Sequence, residues 1–245
     1  MFLMKVFIRK SFDNEIASHN FYAAFDGFKQ MGFEIIFFRD INDLRDNKKE
    51  DIVVSYVEDV RIALFKHDII TPEIDYPEEL ENYLGRKIWK SKLSTIANNP
   101  ENWNVFIKPV EDKKFTGIVV RSTKDLIGCG TYDQDTDILC SEVVNFVAEW
   151  RCFVRYGRIL DIRRYRGDWR VNFDPKIVED VVSKFKSAPK GYAIDFGLTD
   201  KGQTLLIEVN DGYALGCYGL FNLDYAKLLS ARWAELTDTI DECDF

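Results

Sequence analysis

The stretch from Gly191 to Asn210 constrains the fold more tightly than any other part of the chain. Two apolar runs, Tyr192 to Leu198 and Leu205 to Asn210, flank the polar segment Thr199-Asp200-Lys201-Gly202. That pattern reads as a β-hairpin. If the connection is even-numbered and centred on Lys201-Gly202, then Ile194, Phe196 and Leu198 sit opposite Val209, Ile207 and Leu205. All these apolar side chains then share one face, and a slip of one residue would scatter them. The same register sets Asp195 opposite Glu208, with Asn210 one pleat further along the second face. Directly opposed carboxylates have Cβ atoms about 5 Å apart and repel unless a cation lies between them. Two carboxylates and an amide suit a hard cation, magnesium or manganese. A solvated hairpin face would carry similar residues. The loop that follows, Asp211 to Gly219, favours the cation reading, because its glycines let backbone amides approach a ligand closely.

With 41 acidic against 33 basic residues, the net charge of −8 argues against nucleic acid or an anionic membrane as the main partner. Local basic clusters must therefore serve a small anion. Cys129, Cys140, Cys152, Cys217 and Cys243 are odd in number and lack C-x-x-C spacing, which suits a reducing compartment, so a cytoplasmic location is expected. His19 and His67 are too few for a histidine-rich metal site. No apolar run approaches membrane-spanning length, and Met1 to Lys5 reads as too short for a signal peptide.

The first part of the chain predicts a strand over 5–9, a helix over 15–31 stopped by Gly32, and strands over 33–38 and 51–56. This is a small open α/β unit without a dinucleotide glycine fingerprint. Prolines and acids between Thr71 and Pro77 interrupt the pattern, so the domain boundary is expected at 76/77. Residues 78–96 show helical periodicity. A strand over 103–110 then carries Lys108, a cation that is costly to bury without an anionic partner. The basic loop Glu111-Asp112-Lys113-Lys114-Phe115-Thr116-Gly117 and a return strand over 118–121 complete a clamp suited to polyphosphate. No P-loop motif occurs. The connector around Ser141, Glu142, Val143 and Val144 reads either as plain core or as backbone available to an adenine edge. A second hairpin around Gly157 bears Arg151, Arg164 and Arg166, whose planar guanidinium groups suit phosphate and carboxylate oxygens.

The order of these parts resembles the ATP-grasp superfamily. The carriers are the Lys108-Pro109 strand, the glycine loop, the Ser-Glu-Val-Val hinge, the Glu149-Trp150-Arg151 strand, and Asp195 followed by Glu208-Val209-Asn210. The resemblance runs over about residues 78–230 and is nearest to compact, divergent bacterial and phage members. It implies an α+β fold in which two lobes clasp ATP (77–245), preceded by a small α/β pre-grasp domain (1–76). It implies that Lys108 and Lys113 contact the phosphates and that the backbone of Ser141, Glu142, Val143 and Val144 reads adenine. Asp195, Glu208 and Asn210 would hold magnesium, and Arg151 and Arg164 would hold the transferred phosphoryl group and the substrate carboxylate. The family's upstream lysine has no clear match, with Arg86, Lys87, Lys90 and Lys92 all candidates.

The chemistry implied by the resemblance is ligation of a carboxylate to an amine or thiol through an acylphosphate, on a small molecule, peptide or protein. A chain with cations and carboxylates but no activated serine or cysteine agrees with phosphoryl transfer. A hydroxyl kinase and a nucleotide-binding assembly factor are the other classes that share this fold. The abundance of arginine and the lack of a general base favour the carboxylate route over the kinase.

Overall fold

Val6, Phe7 and Ile8 are all buried, without the alternation of a half-exposed strand. A central parallel strand with both faces covered has this signature. The computed structural model describes residues 5–44, 47–110, 114–130 and 135–245. In chain order the first elements are β1 (Lys5–Arg9), α1 (His19–Gln30), β2 (Glu34–Phe38), β3 (Ile52–Val54) and α2 (Val57–Phe65). Next come β4 (Ile88–Lys92), α3 (Leu93–Asn98), β5 (Val105–Pro109), β6 (Ile118–Val120) and β7 (Asp137–Glu142). The last are β8 (Phe146–Arg155), β9 (Arg158–Gly167), α4 (Pro175–Lys184), β10 (Gly191–Thr199), β11 (Thr204–Asp211) and α5 (Asn222–Thr237). Among the described residues no helix is long and apolar enough to cross a membrane.

The chain divides into two compact units, one of residues Met1–Tyr83 with Val147–Phe245 and one of Leu84–Phe146. The first unit holds a parallel sheet ordered β2-β1-β3 and a second sheet ordered β11-β10-β8-β9. Its main core joins β1–β3 and α1 to α5, through Phe21, Ala24 and Phe28 on one side and Tyr225, Leu229 and Trp233 on the other. The C-terminal helix α5 thus completes the core of the N-terminal strands. The first helix starts at His19 rather than near Glu15, since the Ser18 side chain accepts a hydrogen bond from Asn20 N and caps it. Helices α4 and α5 have no counterpart in the sequence reading, although Asp174-Pro175, an N-cap followed by proline at the first helical position, signals α4.

The second unit is an antiparallel sheet ordered β4-β7-β5-β6. Here the helix expected over 78–96 is corrected. The segment forms a 3-10 turn at Glu78–Tyr83, then β4, then the short α3. Gly85 at φ +58° breaks the helical path. Ile88 to Lys92 then pairs along β7, with Trp89 opposite Cys140 and Ser91 opposite Ile138. An edge strand with one lysine-rich face can mimic helical spacing over so short a window.

The packing of α1 on α5 yields a test. A Cβ added at Gly27 would lie 2.1 Å from the Asn222 carbonyl oxygen and 2.8 Å from the Ala226 Cβ. Helix propensity alone would make Gly27→Ala stabilising by ~1 kcal/mol. The close approach reverses that sign, and we expect a net loss of about 1–3 kcal/mol in urea unfolding. A stabilised variant would show that the two helices do not meet at Gly27.

Candidate functional site

Asp195 and Glu208 are direct partners across β10 and β11, as are Ile194 with Val209 and Ala193 with Asn210. Parity thus places the two carboxylates and the amide on one face. Beyond Asp195 the register shifts, so that Phe196 meets Leu206, Gly197 meets Leu205 and Leu198 meets Thr204. Ile207 is the extra residue of a β-bulge. The expected pairing of Phe196 with Ile207 and of Leu198 with Leu205 is therefore wrong, and Leu206 supplies the fully buried contact instead. The cause lies in the turn. Thr199 N donates to Gln203 O and Gly202 N to Thr199 O, with Gly202 at φ +77°. Asp200-Lys201-Gly202 is an odd-numbered connection, and the bulge restores parity before the acidic pair is reached.

The Asn210 amide nitrogen lies 3.4 Å from Asp195 Oδ2 and 3.4 Å from Glu208 Oε1. From the neighbouring strand β8, Arg151 closes a bidentate fork on Asp195, with Nε to Oδ1 and Nη2 to Oδ2 both at 2.7 Å. Only 6% of Arg151 and 3% of Asp195 is exposed, so the pair is desolvated on both sides. Burial raises the Asp195 carboxyl above its usual value against the pull of Arg151. Burial also disfavours the charged guanidinium, but the hydrogen bonds to Asp195 outweigh it and hold Arg151 firmly cationic. Tyr218, in the loop after β11, lies with its ring 4.7 Å from the Arg151 guanidinium carbon, and Tyr165 of β9 stacks on it at 4.9 Å. Glu149, on the same strand as Arg151, pairs with Arg166. Neither tyrosine was singled out from the sequence, because a stack made across a loop has no local spacing.

A second buried fork brackets the site. Arg232 of α5 grips Asp211 through Nε and Nη2, both at 2.6 Å, and reaches Glu235 at 2.8 Å. Glu208-Val209-Asn210 is thus held between two arginine–aspartate anchors.

Arg164 does not join this group. Arg151 is the Cα partner of Arg163, whereas Arg164 is the partner of Trp150 and so projects to the opposite face of the sheet. The register shift at Phe153/Val154 sets Arg163, and not Arg164, on the face of Arg151.

The donor set fits a hard cation. Among the described residues no three His, Cys, Asp or Glu side chains form a metal cluster, and this group has two carboxylates with an amide as its third member. The Arg151 fork uses one lone pair on each Asp195 oxygen and leaves another on each. An amide flip would turn the Asn210 oxygen toward the carboxylates.

In the second unit, Lys108 lies opposite Leu139, and Lys90 lies opposite the same Leu139 from the other side. Two lysines on separate strands therefore share one sheet face across a single leucine. Of the four upstream candidates, Lys90 and Lys92 lie on this face of β4, and Arg86 and Lys87 precede the strand. Arg86 Nη1 donates to Leu84 O, Lys92 pairs with Asp137 at 2.8 Å, and the Lys87 backbone is held by the Glu142 carboxylate at 2.9 Å. Lys90 is the candidate that shares Leu139 with Lys108. Ser141 and Glu142 end β7, while Val143 and Val144 run on outside any strand. Lys113 lies outside the described residues.

Cys152, on the face opposite Arg151, is fully buried, and burial pushes its thiol up to about 12.

A family model of the ATP-grasp domain, the second family of its clade, matches residues 83–228, more than half of the chain. The chain is similar in fold to D-alanine–D-alanine ligase from Bacillus anthracis complexed with ATP, with a TM-score of 0.61 at 14% identity over 97% of each chain. It is also similar to N5-carboxyaminoimidazole synthetase from Staphylococcus aureus, with a TM-score of 0.59 at 10% identity over 97% of this chain and 78% of that one. A third similar structure is the macrocyclase MdnC of Microcystis aeruginosa bound with its precursor peptide, with a TM-score of 0.50 at 14% identity over 96% and 100%. At these identities the likeness is one of fold. No curated protein matches the chain in sequence.

The buried fork makes a quantitative prediction. Asp195→Asn strands a guanidinium without its counter-charge, which should cost about 3–5 kcal/mol in urea unfolding. Replacing both partners, as Arg151→Met with Asp195→Leu, should recover most of that loss. Equal costs for the single and double variants would show that the pair is not coupled.

Proposed function

Because the chain belongs to the ATP-grasp family whose domain model it matches, we propose that it is an ATP- and magnesium-dependent ligase that joins a carboxylate to an amine or thiol. The observation that carries the reading is the convergence of Asp195, Glu208 and Asn210 on one sheet face beside a buried, permanently charged Arg151. We read Asp195, Glu208 and Asn210 as the residues that hold magnesium, which when bound neutralises phosphate charge. Arg151 is positioned to stabilise an oxyanion, while Tyr218 and Asp195 fix its orientation. Lys108 and Lys90 form the pair for the nucleotide phosphates, and the backbone of Ser141, Glu142, Val143 and Val144 is the adenine-reading segment. Lys113 belongs to the same phosphate loop. Residues 1–76 form the pre-grasp domain and 77–245 the ATP-grasp domain of this reading.

The substrate carboxylate oxygen attacks the γ-phosphorus of ATP, and the bond to the β-bridging oxygen breaks to release ADP. The resulting acylphosphate is attacked at carbon by the amine, which loses a proton as inorganic phosphate leaves. Positioning and fixed charge suffice for the first step, and neither step needs a protein nucleophile. Cys152, buried on the opposite face of β8 with its thiol pushed up by burial, agrees with that. The donor is a small molecule, a peptide or a protein, and the enzyme is cytoplasmic.

Purified protein supplied with magnesium-ATP, a panel of amino-acid and peptide carboxylates, and hydroxylamine should form hydroxamate coupled to ADP release. A stable phosphate ester without hydroxamate would assign a kinase instead, and binding without turnover would assign an assembly factor. Glu208→Gln should lower turnover by at least about a hundredfold with its unfolding midpoint kept. Lys108→Met and Lys90→Met should each weaken ATP binding by about 1.5–3 kcal/mol, and Lys92→Met should not. Unchanged affinity in Lys90→Met would remove Lys90 from the phosphate site.

A further inference from the structure

The segment from Thr71 to Pro77, which the sequence marks only as a boundary, supplies one side chain to the acidic strand. Asp75 Oδ1 accepts a hydrogen bond from Val209 N at 2.9 Å, across 134 residues of sequence. Val209 is the residue between Glu208 and Asn210. It is the partner of Ile194 on β10, and β11 is the edge strand of its sheet, so the amide given to Asp75 lies on the open side. Both residues belong to the same compact unit.

Two further observations single out this contact. The bulge at Ile207 breaks the ladder between β10 and β11 one residue before Glu208. An edge segment that restarts after a bulge is held from one side only, and an acceptor on the outer side supplies a second hold. The other observation is the backbone that delivers Asp75. Tyr76 stands at φ +54° immediately before Pro77, although a residue before proline favours extended backbone. Such a conformation persists where surrounding contacts over-determine it. Asp75 Oδ1 also accepts from Tyr76 N at 2.9 Å, so one carboxylate oxygen ties this strained turn to the strand. The bond to a carboxylate is charge-assisted, whereas water at this edge would satisfy the amide without fixing the strand.

We propose that Asp75 is a positioning residue of the acidic site. Its carboxylate fixes the peptide between Glu208 and Asn210, and thereby the spacing at which their side chains meet a divalent cation. Asp75 lies outside the matched domain at 83–228. The inference rests on the reading of Asp195, Glu208 and Asn210 as the residues that hold magnesium.

The test uses the full chain, with unfolding midpoints measured on every variant. Hydrogen exchange of the Glu208–Asp211 segment is followed first, without nucleotide or metal. Asp75→Ala should raise exchange there by ~10-fold or more, and Asp75→Asn, which keeps an acceptor oxygen, should stay near wild type. Mn²⁺ is then titrated with a non-hydrolysable ATP analogue, and water-proton relaxation separates the ternary complex from manganese held by nucleotide alone. Asp75→Ala should weaken manganese binding by ~10-fold or more, and Asp75→Asn should recover most of it. Asp75→Ser, too short to reach Val209 yet still polar, should match the alanine variant. Glu73→Ala, which removes an exposed charge two residues earlier, should stay within about twofold of wild type. Unchanged exchange or wild-type manganese affinity in Asp75→Ala, equal losses in Asp75→Ala and Asp75→Asn, an equal loss in Glu73→Ala, or no ternary complex in wild type would each overturn the proposal. A protein that forms no hydroxamate yet shows these manganese shifts would discard the reaction class and keep the role of Asp75. Hydroxamate formation with wild-type manganese affinity in Asp75→Ala would do the reverse.

Discussion

The buried ion pair between Arg151 and Asp195 is the interaction on which the acidic half of the site depends. Removing two charges from water costs several kcal/mol per ion, and only good geometry with satisfied donors offsets it. The fork on Asp195 is symmetric, at 2.7 Å on both oxygens. It also relieves the repulsion that Asp195 feels from Glu208 across the hairpin and from Glu149. Without a fixed cation at this spot, two carboxylates at directly opposed positions would be a poor choice for a hairpin. Arg232 and Asp211 repeat the device one turn later and tie the end of β11 to α5. Stability and site geometry are therefore carried by the same groups. The short acidic strand is rigid at both ends, and only its exposed oxygens are left to respond to a ligand.

The sequence made the acidic face legible because two errors cancelled. The pattern predicts an even connection, the actual one is odd, and the bulge at Ile207 compensates before Asp195 is reached. Hydrophobic parity is a local signal, and it held within the register segment that contains Ile194 and Val209. It could not locate the bulge, since Leu205, Leu206 and Ile207 are consecutive aliphatic residues and any one of them could be the extra residue. The same limit explains Arg164. In Ile162-Arg163-Arg164-Tyr165 the two arginines are chemically alike, and only the register to β8 tells which shares a face with Arg151.

The basic half failed differently. Lys108 was legible because a lysine within an apolar strand needs an anion or a path to solvent. Its companion was hidden because residues 78–96 were read as a helix, and on a helix Lys90 has no defined relation to Lys108. Once Ile88–Lys92 is a strand paired to β7, both lysines oppose Leu139. Helices α4 and α5 show the converse. Both are ordinary amphipathic or buried segments, and what makes α5 consequential is that it carries Arg232 and fills the core of β1–β3, a role no local pattern encodes.

Of the two opposed arginines, one is locked and one is loosely held, and that asymmetry follows from depth in the sheet. Strand β8 is internal, with β10 and β9 on its two sides, so a charge there must be neutralised by a neighbour of the same sheet. Strand β9 is the edge, and a charge there can trade one partner for another through solvent. Arg151 accordingly lies under Tyr218 and bonds Asp195, while Arg163 keeps a half-exposed partner on its own strand. An anion at this face would meet, in Arg151, a cation whose position is already fixed. Pre-organising it lowers the ordering cost of binding.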